Sequence, residues 1–176
     1  MSDACRNRAE ERFTEIFGQI HRVAAYARRR GAADPEEIAA ETMAIAWHRL
    51  ADVPHDDPLP WLLATARNVL WAANRKRARV QVGLDGIPEP ADEDPVFQAS
   101  GIDARLLGAL AALPALDREA LLLVAWEELS PAQAATALGI SSVAFRVRLH
   151  RARRRCATAL GRPTATAAMK ERTSGA

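Results

Sequence analysis

The spacing of apolar and polar residues predicts helices along most of the chain. After Asp34, apolar residues recur every three or four positions and share one side of a helix, while Glu37, Glu41 and His48 fall on the other side. The apolar side carries Ala39, Met43, Ala46, Trp47 and Leu50. The every-second-residue alternation that is typical of half-buried strands is hard to find. We therefore predict an all-α fold.

Local signals indicate where the helices begin. Asp34-Pro35-Glu36-Glu37 places a capping Asp before a Pro at the first helical position, with a Glu three residues after the cap, which is a capping box. Two prolines precede the next predicted helix, which extends from about Trp61 to Arg79. Further along, Pro114 interrupts an apolar helical pattern, and Asp117 is predicted to open the helix that follows.

The residues from Ser130 onward predict a helix-turn-helix. Ser130-Pro131-Ala132-Gln133 repeats the capping box, now with Gln in the reciprocal position, and the first helix is predicted at 132–138. Gly139 suits the left-handed turn that ends a helix, and Ser141 can cap the second helix. In this motif the second helix enters the major groove of DNA.

Charge is distributed unevenly, although the formal net charge of the 176 residues is only +2. Residues 80–104 contain six acids, no Lys or Arg, and several Pro and Gly, which is the composition of a linker. Residues 141–162 contain seven arginines and no acid, which indicates an anionic partner. We predict two small helical domains joined by a flexible acidic linker, the second domain being the helix-turn-helix. The predicted boundaries are 10–79, 80–101 for the linker, 102–160, and 161–176 for a disordered tail.

Several functions are disfavoured by what the sequence lacks. No apolar run of about 18 residues occurs, and the first residues lack the apolar core of a signal peptide, so we expect a cytoplasmic protein without membrane insertion. Cys5 and Cys156 are far apart and give neither a metal-binding spacing nor a disulfide framework. The four histidines are scattered, and no nucleophile–base pair or phosphate-binding glycine loop is seen. We expect no cofactor, no metal site and no enzymatic activity.

The second helix of the predicted motif has two different faces. An apolar stripe comprises Phe145, Leu149, Ala152, Cys156 and Leu160. Outside it lie Arg146, Arg148, His150, Arg151, Arg154 and Arg155. Ser142, Val143 and Ala144 stand where base edges would be approached, and the later arginines would grip phosphates. The alternative is a solvated basic face; we favour DNA contact because no acid in the segment balances the arginines. Cys156 is predicted to be a buried structural cysteine.

A basic cluster follows two tryptophans in the N-terminal half. Trp61 and Trp71 lead into the run Arg75-Lys76-Arg77. Aromatic rings interleaved with cations suit single-stranded nucleic acid, because bases stack on the rings while the cations follow the backbone. An equally weighted alternative is that both tryptophans are core residues and the basic run caps the helix C-terminus.

Together these zones resemble the extracytoplasmic-function group of bacterial sigma factors over about residues 12–160. Residues 34–43 match the acidic helix of the family's first domain. Trp61, Leu62, Ala66, Asn68 and the basic run 75–77 match its Trp-Leu-x-x-Ile-Ala-x-Asn motif and the basic residues that follow. Leu113-Pro114, Gly139-Ile140-Ser141 and the Arg-Leu-His-Arg-Ala-Arg string at 148–153 match the second domain without gaps.

The resemblance implies a promoter-specificity subunit that acts with core RNA polymerase and is held inactive by an anti-sigma protein. The clamp coiled coil of the polymerase would be bound by Glu37, Ala40, Glu41 and His48. The minus-ten promoter element would be opened and read by Trp61, Arg67, Asn68, Trp71, Arg75, Lys76 and Arg77, with one base flipped out. The minus-thirty-five element would be read by Ser141, Ser142, Val143, Ala144, Arg146, Arg148, His150, Arg151 and Arg154. The second domain would also dock on the polymerase flap.

The sequence departs from the family pattern at three places. The usual Gln of the clamp-binding helix is Ala40, and the usual Gly-Thr-Val of the recognition helix is Val143-Ala144-Phe145. The loop at 51–60 carries Asp52, Asp56 and Asp57, which is unexpected beside phosphates. These changes leave the promoter sequence open.

The competing interpretation is a stand-alone helix-turn-helix regulator with an N-terminal dimerisation or sensor domain. The basic and aromatic helix at 61–79 favours the sigma-factor interpretation, because a repressor has no need of it.

Overall fold

The computed structural model describes residues 3–82 and 103–161, and within them every regular element is an α-helix. This confirms the predicted all-α fold. The helices are α1 (Asp3–Phe17), α2 (Ile20–Arg29), α3 (Pro35–His48), α4 (Leu59–Val82), α5 (Ala104–Ala111), α6 (Ala115–Ala125), α7 (Pro131–Leu138) and α8 (Ser142–Gly161). Most of the predicted linker and nearly all of the predicted tail lie outside the described residues, so their flexibility stays a prediction.

The described residues divide into two compact units, residues 3–82 and residues 103–161. The division also counts Thr136–Gly139 with the first unit, although these residues complete α7 and its turn. The functions assigned to the two predicted domains, and their limits, are not decided by this division and stay predictions.

In the first unit α2, α3 and α4 pack against one another around a core of aliphatic side chains and one tyrosine. The predicted apolar side of α3 is buried at Ala39, Met43 and Ala46. The prediction was wrong for Trp47, which is exposed, and for Leu50, which is half-buried beyond the end of the helix. Because Trp47 lies next to the C-terminus of α3, its ring packs edge-on against Phe13 of α1, with 5.0 Å between the ring centroids, instead of entering the core.

The ends of α3 and α4 follow local chemistry. The backbone N–H of Glu37 donates to Asp34 Oδ1 at 2.8 Å, as the capping box predicts. Helix α4 begins at Leu59, two residues earlier than predicted, because Pro60 is tolerated in a first turn, where its missing N–H has no helical acceptor. It also continues to Val82, three residues past the predicted end at Arg79.

In the second unit α8 packs against α5 and α6. The predicted apolar stripe of α8 is buried at Phe145, Leu149 and Ala152. Helix α6 begins at Ala115 after Pro114, so Asp117 lies inside its first turn and does not open the helix as predicted. The Asp117 side chain is buried, which gives it a different role, described with the candidate interface below.

The turn between α7 and α8 has the predicted helix-turn-helix chemistry. Ser130 N–H donates to Gln133 Oε1 at 2.7 Å and Gln133 N–H donates to Ser130 Oγ at 3.3 Å, which completes the reciprocal capping box. Gly139 has a φ of +68°, in the left-handed region. Ala144 N–H then donates to Ser141 Oγ at 3.2 Å and caps α8.

The turn at Gly139 yields a stability prediction with an internal control. A Cβ added at Gly139 or at Gly108 meets no atom within 4 Å, but only Gly139 has a positive φ. We expect Gly139→Ala to lower the free energy of unfolding by about 1–2 kcal/mol, because an L-residue is strained there. Gly108→Ala, in α5, should raise it by about 0.5–1 kcal/mol, since Ala is the better helix former. Urea denaturation of both variants decides the point; equal effects would contradict the proposed turn.

Candidate nucleic-acid interface

The outer face of α8 is exposed over most of its length. Most of the residues that were predicted to contact DNA are exposed on this face: Ser141, Ser142, Val143, Ala144, Arg146, His150, Arg151 and Arg154. This face lies opposite the buried side chains Phe145 and Leu149, so the packing that holds α8 in place also turns these residues outward. The second helix of this motif therefore presents a continuous surface of Ser, Val and basic side chains.

Two arginines of α8 are held by a buried acid. Arg148 Nη1 lies 2.9 Å from Asp117 Oδ1, and Arg155 Nη1 is paired with Asp117 Oδ2. The Asp117 side chain is only 5% exposed, whereas those of Arg148 and Arg155 are 33% and 56% exposed. We predicted that no acid balances the arginines of α8, which was wrong for Arg148 and Arg155, because their acid comes from α6. Arg148 has a structural partner beside its predicted role at DNA.

The remaining arginines of α8 carry uncompensated charge. Within the part of the chain that the structure describes, Arg146, Arg151, Arg153 and Arg154 make no ion pair, and all four are exposed. Guanidinium groups bind phosphate or the O6 and N7 atoms of guanine through a planar fork. This cluster is the electrostatic feature of the second unit that suits a polyanion.

A further arginine, which the sequence reasoning missed, supports the corner between α5 and α6. Arg118 is buried and donates from Nε to the Leu110 carbonyl at 2.7 Å and from Nη2 to the Leu113 carbonyl at 2.9 Å. The last carbonyls of a helix lack the N–H partners of the next helical turn, and Arg118 supplies donors to them. The Leu110 carbonyl also accepts from the Leu113 N–H at 3.1 Å. The Leu-Pro pair at 113–114, which breaks the helix here, was the sequence signal for such a corner.

In the first unit the predicted minus-ten residues lie along α4. Asn68, Trp71, Arg75, Lys76 and Arg77 are exposed, whereas Trp61 is half-buried. The guanidinium of Arg67 lies 5.2 Å from the centroid of the Trp71 ring. The interpretation of both tryptophans as core residues was wrong for Trp71. Its exposed ring next to a cation has the chemistry on which an unpaired base can stack.

The loop that precedes α4 is held in place by arginines. Arg12 of α1 donates to the Val53 carbonyl. Arg49 pairs with Asp52 at 2.8 Å, and its guanidinium lies 5.8 Å from the Trp61 ring centroid. The unexpected acidity of this loop is thus partly explained, because Asp52 is an ion-pair partner within the turn.

The predicted polymerase-binding residues Glu37, Ala40, Glu41 and His48 are all exposed on α3. At the end of α3 that carries His48 lies an aromatic cluster that was not predicted from the sequence. Phe13 packs against Phe17 with 5.9 Å between ring centroids and against the exposed Trp47. The spacing of four residues between Phe13 and Phe17 was the available signal, since such pairs meet on one side of a helix.

Cys156 is half-buried, whereas we predicted a buried position. Burial raises the pKa of its thiol, so the reactive thiolate is disfavoured and a structural role is supported. The Cys5 side chain lies outside the described residues.

Among residues 6–78 and 103–161, no three His, Cys, Asp or Glu side chains are grouped so that they could hold a metal ion. None of the helices in the described ranges is long and apolar enough to cross a membrane.

Comparison with known proteins places this geometry in a family. The family model "Sigma-70, region 4" matches residues 103–156, which include α5, α6, α7 and most of α8. The curated "Probable RNA polymerase sigma factor RfaY" of Xanthomonas campestris pv. campestris is 33% identical over 134 residues, or 70% of this chain. The chain belongs to the sigma-70 family of RNA polymerase sigma factors. The chain spans 33% of the length of that curated relative.

Solved structures are similar to this sigma factor over both of its units. The sigma factor RpoE in complex with the anti-sigma factor NepR from Bartonella quintana has a TM-score of 0.60 and 26% identity, covering 84% of this chain and 95% of that one. CnrH in complex with the cytosolic domain of CnrY has a TM-score of 0.58 and 27% identity, covering 90% and 98%. Within the sigma-70 family, the chain is a member of the extracytoplasmic-function group.

The Asp117 ion pairs of this sigma factor yield a prediction about stability. Asp117→Asn keeps the size of the side chain but leaves two guanidinium groups without their acid, and we expect it to lower the free energy of unfolding by about 2–3 kcal/mol. Arg148→Ala should cost about 1–2 kcal/mol, and the more exposed Arg155 less than about 1 kcal/mol. Urea denaturation measures all three.

Arg153→Ala is the matched control, because Arg153 is exposed on the same helix and makes no ion pair within the described residues. We expect it to change stability by no more than about 0.5 kcal/mol. An Asp117→Asn variant as stable as wild type would contradict the structural role of the cluster.

Proposed function

We propose that this sigma factor binds core RNA polymerase and directs it to promoters of a defined sequence. The observation that carries the proposal is the recognition helix α8, which carries four exposed arginines that make no ion pair within the described residues. It does no covalent chemistry in this proposal, since the polymerase forms the RNA chain. Its free energy of binding goes into positioning, strand separation and base capture, and its place of action is the cytoplasm.

In this proposal the second unit reads the minus-thirty-five element as duplex. The N-terminal residues of a recognition helix approach base edges, so Ser142, Val143 and Ala144 stand closest to the bases. Arg146, Arg151 and Arg154, with His150, lie further along the same exposed side and contact phosphates or guanine. The same unit also docks on the polymerase flap.

The first unit acts on the minus-ten element in this proposal. Trp71 and Arg67 offer a ring and a cation side by side, which supports stacking of an unpaired base. Asn68 is exposed one position after Arg67 and can read the edge of that base. Arg75, Lys76 and Arg77 follow on the same helix and track the phosphates of the separated strand.

The exposed side of α3 is the proposed contact with the polymerase clamp. Glu37, Ala40, Glu41 and His48 lie on it, and the aromatic cluster of Phe13, Phe17 and Trp47 adds apolar area at the end of α3 that carries His48. Depletion of charge in favour of aromatic side chains is typical of the centre of a protein interface. This combination supports a partner surface with basic and apolar residues.

We also propose control by an anti-sigma protein. Support comes from the two solved relatives, of which one is a sigma factor bound to an anti-sigma factor and the other is CnrH bound to the cytosolic domain of CnrY. Such a protein would hold this sigma factor inactive by masking both units.

Polymerase binding is tested by co-elution of the purified chain with bacterial core RNA polymerase on gel filtration. Glu41→Lys reverses a charge on the proposed contact face and should weaken the complex by about tenfold, or about 1.4 kcal/mol. Glu11→Lys makes the same change at an exposed acid of α1 that is not among the proposed contact residues, and it should leave the affinity unchanged. If the unchanged chain does not co-elute, the proposed function is wrong.

The arginines of α8 yield a separate prediction about ionic strength. Arg151→Ala and Arg154→Ala should each reduce by about one the slope of log affinity against log salt for promoter binding, because each removes about one phosphate contact. Arg155→Ala should leave that slope unchanged, because the Arg155 guanidinium is engaged by Asp117 and makes no phosphate contact in this proposal. Fluorescence anisotropy at several salt concentrations, with sigma factor bound to core polymerase, measures the slopes. If Arg155→Ala reduces the slope as much as Arg154→Ala does, the division into arginines paired with Asp117 and arginines that contact phosphate is wrong.

A further inference from the structure

The outer face of α8 changes character along its length. Val143 is 63% exposed and Val147 is 47% exposed, and they lie one helical turn apart. His150, Arg151 and Arg154 follow on the same side and are also exposed. The two valines therefore form an apolar part of this face within its first two turns, alongside the exposed Ser142 and Arg146, and the face is basic beyond them. Among the described residues of its own unit, none covers this apolar part.

The position of the two valines argues for a particular kind of surface. They stand opposite the buried side chains of Phe145 and Leu149, so they point away from the unit that carries them. The first turns of a recognition helix approach the base edges, and the later turns approach the backbone. The apolar part of α8 is thus placed at the bases and the basic part at the phosphates, which makes the two parts complementary to one DNA duplex.

The chemistry of valine then limits what it can read. A valine side chain neither donates nor accepts a hydrogen bond, so it cannot recognise guanine, adenine or cytosine through their polar edges. The apolar group that the major groove offers is the C5-methyl group of thymine. Burying two exposed valines against any other base edge would remove polar atoms from water without replacing their hydrogen bonds, which is unfavourable.

We propose that Val143 and Val147 read the C5-methyl groups of thymines in the duplex element that α8 contacts. The inference rests on the proposed function in one respect, since it takes α8 as a helix that enters the major groove. It names the base chemistry that this helix selects and two residues that determine the selection.

The test replaces single thymines by uracil, which removes the methyl group and leaves every hydrogen-bonding atom in place. Duplexes are first selected from a random library by the purified full chain, once with and once without core polymerase, and the protected element is located by footprinting. Each thymine in that element is then replaced by uracil. We expect at least one such replacement to weaken binding about fourfold, since a lost methyl contact corresponds to about one buried CH2 group.

The variants Val143→Ala and Val147→Ala identify the residue that reads each methyl. Both side chains are exposed and Ala favours helices more than Val does, so the fold is retained. Each variant should bind the thymine and uracil forms of one position equally well. Leu116→Ala is the matched control, because Leu116 is a 38% exposed apolar residue of α6 in the same unit, and it should keep the fourfold preference for thymine.

The outcomes separate the inference from the proposed function. Dependence of selection on polymerase tests the proposed function, whereas the thymine-to-uracil ratio tests the reading of methyl groups in either pool. Equal affinity of the unchanged chain for thymine and uracil at every position overturns the inference, and so does an enriched element without thymine or the absence of any enriched element. Weaker polymerase binding by the valine variants, with an unchanged thymine preference, also overturns it and shows that the apolar part binds protein.

Discussion

The carboxylate of Asp117 is the group on which the arrangement of the second unit depends most. A buried acid is unfavourable unless it is paired and hydrogen-bonded. Here it binds Arg148 and Arg155, which lie seven residues, or about two turns, apart on α8. Two attachment points on one helix restrict its rotation about its own axis as well as its position. With Phe145 and Leu149 buried on a neighbouring side, α8 has one rotation that satisfies both requirements, and that rotation turns Val143 outward.

Arginine serves two separate purposes in this protein. Arg118 and Arg12 donate to backbone carbonyls and hold, respectively, the corner between α5 and α6 and the loop before α4. Arg151 and Arg154 stay in water and make no ion pair within the described residues, which leaves their charge available for phosphate. The same residue type suits both tasks because its planar fork binds carbonyl, carboxylate and phosphate oxygens alike. Composition alone therefore overstates the charge that α8 offers to DNA.

The features that could be predicted best from the sequence are those that depend on residues close to one another along the chain. The capping boxes at Asp34 and Ser130 and the left-handed turn at Gly139 depend on a few adjacent residues, and all three were predicted correctly. The role of Asp117 could not be read in this way, because its partners are 31 and 38 residues away and are brought to it only by packing. The burial of Trp47 was predicted wrongly for a related reason. Helical spacing gives the side of α3 on which Trp47 lies, but it does not tell which element packs against that side. The exposed face of α8 was predicted, whereas the division of its arginines required tertiary structure.

We propose that α8 and α4 act on one promoter as parts of a polymerase holoenzyme. The most direct test is transcription in vitro from a library of genomic fragments, with bacterial core RNA polymerase in the presence and absence of the purified chain, followed by mapping of the RNA 5′ ends. We expect new start sites only when the chain is present, each preceded by two shared sequence elements at a constant separation. A chain that shifts duplex DNA by itself, yet leaves the start sites of the polymerase unchanged, would contradict it.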